Sequence, residues 1–243
     1  GIDLSQYNYV NTLGNLSAAD SIRYNSAGTL MLGGNIRAGG TLAMNVGGYI
    51  GQLTGTIAAD HLDLNATGIA LMSANDIGST NASNLVATDD ITFHSANAIL
   101  LGNVSTSGLL SLTADSGDVR QIAAFAADRL DVSAVAGDIV LDRVNSVSML
   151  NDVTAGGSFR LGSDRSLTLD GRISAPGLVK LSIDGSLIQT GTTGIFTDAL
   201  EASATAGLSL LNHNHVGQVS LDGGGHDVRF HNVGAIAINS INA

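Results

Sequence analysis

Three groups of side chains in this 243-residue sequence have types and spacing that could do chemistry: paired histidines, recurring carboxylates and a glycine-rich run flanked by aspartates. In His213-Asn214-His215 the two imidazoles are two residues apart, so on a strand they share a face and could hold a transition metal ion, with His226 and His231 nearby in sequence. No matching pair recurs elsewhere, and it is Asn214 that recurs, so we read these histidines as surface residues. Asp63, Asp131 and Glu201 each sit between two apolar residues and should face outward. A carboxylate pair could serve acid–base chemistry or calcium. Placed three coils apart at strand spacing, however, they would be separated by roughly 14 Å, too far for a pair. Solvated surface charge is the expectation. Leu221-Asp222-Gly223-Gly224-Gly225-His226-Asp227-Val228 is similar to a calcium-binding glycine-rich nonapeptide, but one imperfect copy supplies half a site, so a glycine-rich turn is expected.

Gln52, Gln121 and Gln189 stand two residues after an apolar strand position, so alternation points them inward. There they should satisfy backbone groups at a corner, since a buried polar group without partners costs about 1–3 kcal/mol. No Ser-His-Asp order, phosphate loop or zinc spacing is present, and Lys180 is the only lysine. The sequence therefore assigns no catalytic, cofactor-binding or metal residue, and no cofactor is expected.

Composition narrows the classes further. Ten basic against 21 acidic side chains give a net charge of −11, which repels phosphate backbones, so nucleic acid is an improbable partner. No apolar run approaches the roughly 20 residues that span a bilayer, and no membrane insertion is expected. There is no cysteine, hence no disulfide and no thiolate site. With charged residues at 13% and 31 glycines, the surface must be built largely from Ser, Thr, Asn and Gly.

What should position any of these groups is a repeat. Leu32 to Gln52, Leu101 to Gln121 and Leu169 to Gln189 each run 20 residues from Leu to Gln, with Gly48, Gly117 and Gly185 in register and Ile50, Val119 and Leu187 two residues on. The starts are 69 and 68 residues apart. Residues 1–24 match a block displaced by 137, two repeat lengths, so the chain is expected to be one β-helix domain over 1–243, cut from a longer protein with uncapped ends. Short alternations such as Leu62-Asp63-Leu64, Leu110-Ser111-Leu112 and Val179-Lys180-Leu181 carry the period of half-buried strands. Helix signals are absent.

If Ile50, Ile69, Ile99, Val119, Ile139, Leu167, Leu187, Leu208 and Ile236 occupy one angular position, the steps are 19, 30, 20, 20, 28, 20, 21 and 28. This predicts an all-β, right-handed parallel β-helix of about ten to eleven coils in a 20+20+28 super-repeat. Every third coil would carry a surplus in Ile77 to Ile91, Val147 to Phe159 and Val216 to Val228, which either projects from the rod or, as Leu85, Val153 and Val219 favour, broadens the coil.

The pattern L-[DE]-φ-x-A-x-x-G-(D)-φ-x-L at Leu62 to Leu71, Leu130 to Leu141 and Leu200 to Leu210, followed by Asn75-Asp76-Ile77, Asn145-Ser146-Val147 and Asn214-His215-Val216, resembles the repeat regions of filamentous-haemagglutinin-like adhesins. The resemblance covers essentially the whole chain and rests on small and aliphatic residues. It implies a right-handed parallel β-helix, export through an outer-membrane transporter of the two-partner type, and a secreted or cell-surface role as an adhesive shaft. The receptor would be a host-cell or surface glycan or protein. Autotransporter passenger domains share the architecture. Two other functions fit the same coils: a polysaccharide-acting lyase or hydrolase, which would need charged residues converging in a cleft, and a passive spacer for a distal toxin or adhesin tip. Exposed strand edges at the ends would favour end-to-end self-association.

Overall fold

The computed structural model describes residues 1–243. It contains strands joined by turns and bends, and no helix. Contacts divide the chain into two compact units, Gly1–Ala123 and Ala124–Ala243, each a parallel β-solenoid with three sides per coil.

In the first unit, one side stacks Ile2, Ile22, Leu42 and Leu62 and continues through Leu64, Leu85 and Val104. A second stacks Leu30, Ile50, Ile69, Ile91 and Leu110. The third carries Leu16, Ile36 and Ile57. In the second unit the corresponding stacks are Ile139, Phe159, Val179, Leu200, Val219 and Ile238; then Leu167, Leu187, Leu208 and Val228; then Val132, Val153, Ile173 and Ile195. Each side is a strand of a few residues because the inward positions are Leu, Ile and Val, alternating with polar or small residues that face out. Most stack members are essentially inaccessible to solvent, Leu85 and Val153 at 0% among them. Corners turn on glycine where the backbone requires it: Gly117 and Gly207 have φ of +76° and +89°.

The parallel β-helix expected from the sequence is present, but the partition into two short coils and a long one is not. Ile69 pairs with Ile91 and not with Ile99; Ile139 pairs with Phe159 and not with Leu167; Leu208 pairs with Val228 and not with Ile236. Neighbours within these stacks are 19 to 22 residues apart, and each unit has about six coils, so ten to eleven is an undercount. The segments that a 20+20+28 winding makes surplus are ordinary sides of ordinary coils. Ser83–Ala87, for example, pairs in parallel on both flanks and buries Leu85.

A repeat of 68 to 69 residues wound at about 20 per coil advances three coils and roughly a further third. Copies of one motif within a unit therefore lie on different sides. In the second unit Val132 of Leu130-Asp131-Val132 belongs to the Val153 stack, whereas Leu200 of Leu200-Glu201-Ala202 belongs to the Ile139 stack.

Candidate functional site

The feature that recurs once per repeat with a defined geometry is a bulged corner closed by an asparagine, buried in three of the four copies. Its four copies read Leu4-Ser5-Gln6-Tyr7-Asn8, Leu71-Met72-Ser73-Ala74-Asn75, Leu141-Asp142-Arg143-Val144-Asn145 and Leu210-Leu211-Asn212-His213-Asn214. In each, the leucine and the asparagine are four residues apart but face residues only two apart on the next coil: Tyr24 and Ser26, Phe93 and Ser95, Leu161 and Ser163, Phe230 and Asn232. Two residues are thus extruded as a β-bulge.

Asn75, Asn145 and Asn214 are 0% exposed, so their amides must be satisfied inside. Asn75 Oδ1 accepts the Ile57 N–H at 2.8 Å, while Nδ2 donates to Ser73 O at 2.8 Å in its own bulge and to His94 O at 3.1 Å on the next coil. Asn145 accepts from Phe125 N at 2.9 Å and donates to Leu141 O, Arg143 O and Gly162 O. Asn214 accepts from Ile195 N at 3.0 Å and donates to Leu210 O and His231 O. One side chain so ties three successive coils together.

The recurring glutamines complete the corner. Gln52 Nε2 donates to Asn75 Oδ1 at 2.8 Å and to Gly55 O, and Gln52 Oε1 accepts the bulge N–H of Ser73 at 3.1 Å. Gln189 does the same with Asn214 Oδ1 at 3.0 Å, Thr193 O and the bulge N–H of Asn212 at 3.1 Å. Gln121 donates to Ala123 O at 2.6 Å. These glutamines hold backbone, as their inward position implied. In the sequence Gln and Asn recur as separate motifs; the spacing of 23 residues between Gln52 and Asn75 and of 25 between Gln189 and Asn214, about one coil, is the signal that these form pairs.

What the corner presents outward varies. Tyr7, Met72, Val144 and Leu211 are 73%, 68%, 71% and 52% exposed. The next coil braces the bulge: His94 Nδ1 lies 3.2 Å from Met72 O and His231 Nδ1 3.0 Å from Asn212 O. At the equivalent position Gly162 leaves no room, since a Cβ there would meet Arg143 O at 2.6 Å. The arrangement is a backbone frame that turns a different side chain outward in each copy, and beside Met72 it places His94, whose Nε2 lies 2.8 Å from Asp115 Oδ1.

The sequence candidates fall as follows. His213 packs edge-on against His231, with ring centroids 5.7 Å apart, and His215 stacks on Phe196 at 4.9 Å, so the pair does not converge on one point. Arg172 covers Phe196, 4.3 Å from its centroid. No group of three His, Asp or Glu side chains could share a metal ion. Asp63 lies in register between Ala43 and Asn84. Burial holds the Asp131 carboxyl above the usual carboxylate range, with a further push from the Asp152 charge. Glu201 pairs with Lys180 at 2.9 Å on the outer surface. Because Asp131 and Glu201 belong to different stacks, the carboxylates do not form a row. Leu221 to Val228 contains a tight turn: His226 N–H donates to Gly223 O at 3.1 Å, with Gly224 and Gly225 at φ of +61° and +84°, and Asp222 Oδ1 accepts from Gly224 N–H.

The comparisons with known proteins agree with a repeat and go no further. A family described as repeats of unknown function, DUF5649, matches residues 17–84 and 88–154, more than half of the chain. The first matched stretch contains the Gln52 and Asn75 pair and the second contains Gln121 and Asn145, while Gln189 and Asn214 lie beyond them. No curated protein and no solved structure gives a match. By its own repeats and by this match, the chain belongs to the DUF5649 family, the repeats of unknown function.

Proposed function

We propose that this chain is a non-catalytic shaft module of a secreted or surface-exposed bacterial adhesin, exported through an outer-membrane transporter of the two-partner type. The observation that carries this reading is where the repeat spends its polar chemistry. Its recurring amides are consumed in holding backbone, and the side chains that its corners turn outward, Tyr7, Met72, Val144 and Leu211, differ from copy to copy. That division suits a protein selected for reach and for a displayed surface. The secretion route and the bacterial surface rest on the resemblance to filamentous-haemagglutinin-like repeats.

The enzyme reading has one observation in its favour: Arg160, Lys180 and Glu201 are consecutive in register on the outer face of the second unit. Lys180 and Glu201 are engaged with each other at 2.9 Å, and Asp222, which lines the same depression, is the second acid that this reading would need. The test is direct. The purified chain should bind bacterial host cells or extracellular matrix and release no product from a panel of polysaccharides. Turnover abolished by Lys180→Ala would overturn the proposal in favour of a lyase or hydrolase. Absence of both binding and turnover would reduce the role to a passive spacer.

A further inference from the structure

The outer face of the first unit carries a polar trough that nothing above uses. On the strands Ile22–Ser26, Thr41–Val46 and His61–Ala66, two rows of outward side chains run across the coils. The first reads Arg23, Ala43, Asp63, in register. The row beside it reads Asn25, Asn45, Asn65, also in register. Ala43 is the small residue in the middle, so the surface dips between Arg23 and Asp63, which stand two strand spacings apart, about 10 Å. Ser5, Asn25, Asn45 and Asn65 line the same depression.

Two features mark it as more than a gap. Arg23 and Asp63 carry opposite charges on either side of Ala43; Arg23 has Asp3 in register on its other side, where, after the Ser5 hydrogen bonds, its charge helps to lower the Asp3 pKa, and Asp63 is in no ion pair. The amides beside them form a ladder: Asn65 Nδ2 donates to Asn45 Oδ1 at 3.2 Å, and Asn25 Nδ2 donates to Ser5 O at 2.6 Å. Asn45 therefore accepts from its neighbour and keeps its own NH2 for another partner. The trough thus offers a carboxylate acceptor, a guanidinium donor and amides of both polarities, all on strands fixed by the buried Ile22, Leu42 and Leu62 stack.

We propose that this trough binds a neutral glycan, one or two pyranose units seated over Ala43. Vicinal hydroxyls donate to Asp63, ring or hydroxyl oxygens accept from Arg23, and the asparagine ladder serves both directions. An apolar partner finds no apolar side chain there beyond Ala43 and the edge of the buried Met44. A strongly anionic glycan would meet Asp63 in a chain of net charge −11. This inference deepens the adhesive reading and rests on it.

The experiment measures binding of the intact chain to an array of neutral hexose and N-acetylhexosamine oligosaccharides, with sialylated and sulfated glycans alongside, and in parallel to host cells. Ala43→Leu fills the trough and Asp63→Asn removes its carboxylate, both on an outer face; thermal melting checks that each folds. The expected result is neutral-glycan binding that falls roughly tenfold or more in either variant, the loss expected for one charge-assisted hydrogen bond, and that is unchanged in Lys180→Ala. Asp63→Asn carries the test alone if Ala43→Leu does not fold. Undiminished binding in the folded variants, or binding to charged glycans only, would overturn the assignment. Cell binding without any neutral-glycan binding would sink the trough and leave the adhesive reading standing; loss of both would sink the two together.

Discussion

Replacing Asn214 with alanine removes the side chain that ties three coils of the second unit. Its Oδ1 accepts the Ile195 N–H and the Gln189 amide, and its Nδ2 serves Leu210 O, His231 O and Gln189 Oε1. In Asn214→Ala the Ile195 N–H is buried with its partner gone, and an orphaned donor costs about 1–3 kcal/mol. The two carbonyls and the Gln189 amide each lose one of their bonds, a smaller loss per group because an under-satisfied carbonyl is tolerated better than an orphaned donor. Together these give about 3–5 kcal/mol, large against the total stability of a domain. Because a repeat array can open in stages, the suitable assay is native-state hydrogen exchange on the intact chain, read at Ile195, Asn212 and Leu210. Protection there should fall by the full amount. Asn65→Ala, on the outer face, should change protection by no more than about 0.5 kcal/mol. A loss below about 1 kcal/mol in Asn214→Ala, or an equal loss in both variants, would refute the reasoning that the buried asparagine closes the corner.

The other expectations concern the same frame. Gln189→Ala should speed exchange of the Asn212 amide, whose N–H then has no acceptor, and cost about 1–2 kcal/mol without unfolding the unit. Gly162→Ala should destabilise by about 1–3 kcal/mol in urea unfolding, because its Cβ would meet Arg143 O at 2.6 Å; a neutral effect would mean that the bulge is free to move away. Asp131 has a folded-state pKa raised by burial, so its ionised form opposes folding. The penalty is absent below its ordinary value of about 3.8 and grows as pH rises through the raised folded value. Asp131→Asn should therefore melt higher than the parent at neutral pH and converge with it in acid; convergence at neutral pH would contradict the assignment.

Strands were legible because each side of each coil is an apolar–x–apolar triplet, and that pattern needs no partner to be seen. The same uniformity hid the winding. Ile91-Thr92-Phe93, Phe159-Arg160-Leu161 and Val228-Arg229-Phe230 look like any other triplet, so nothing local says that they, and not Ile99, Leu167 and Ile236, stack on Ile69, Ile139 and Leu208. Assuming that sequence equivalents share a side forced the steps of 28 and 30, whereas the chain keeps a constant coil and lets the repeat rotate. The inward turn of Gln52 and Gln189 followed from alternation. Their pairing with Asn75 and Asn214 did not, because it joins residues a coil apart across a bulge that the sequence marks only by two extra positions.

The winding itself can be tested by cross-linking, and the absence of native cysteine gives a clean background. In the first unit Ala70 is in register with Thr92 on the next coil, so Ala70→Cys with Thr92→Cys places two outward-facing half-exposed cysteines at strand spacing, within the range a disulfide bridges. Mild oxidation should close that bond rapidly and leave Ala70→Cys with Leu100→Cys reduced. Efficient closure of the Ala70 and Leu100 pair with none between 70 and 92 would contradict the constant coil, and with it the rotating repeat.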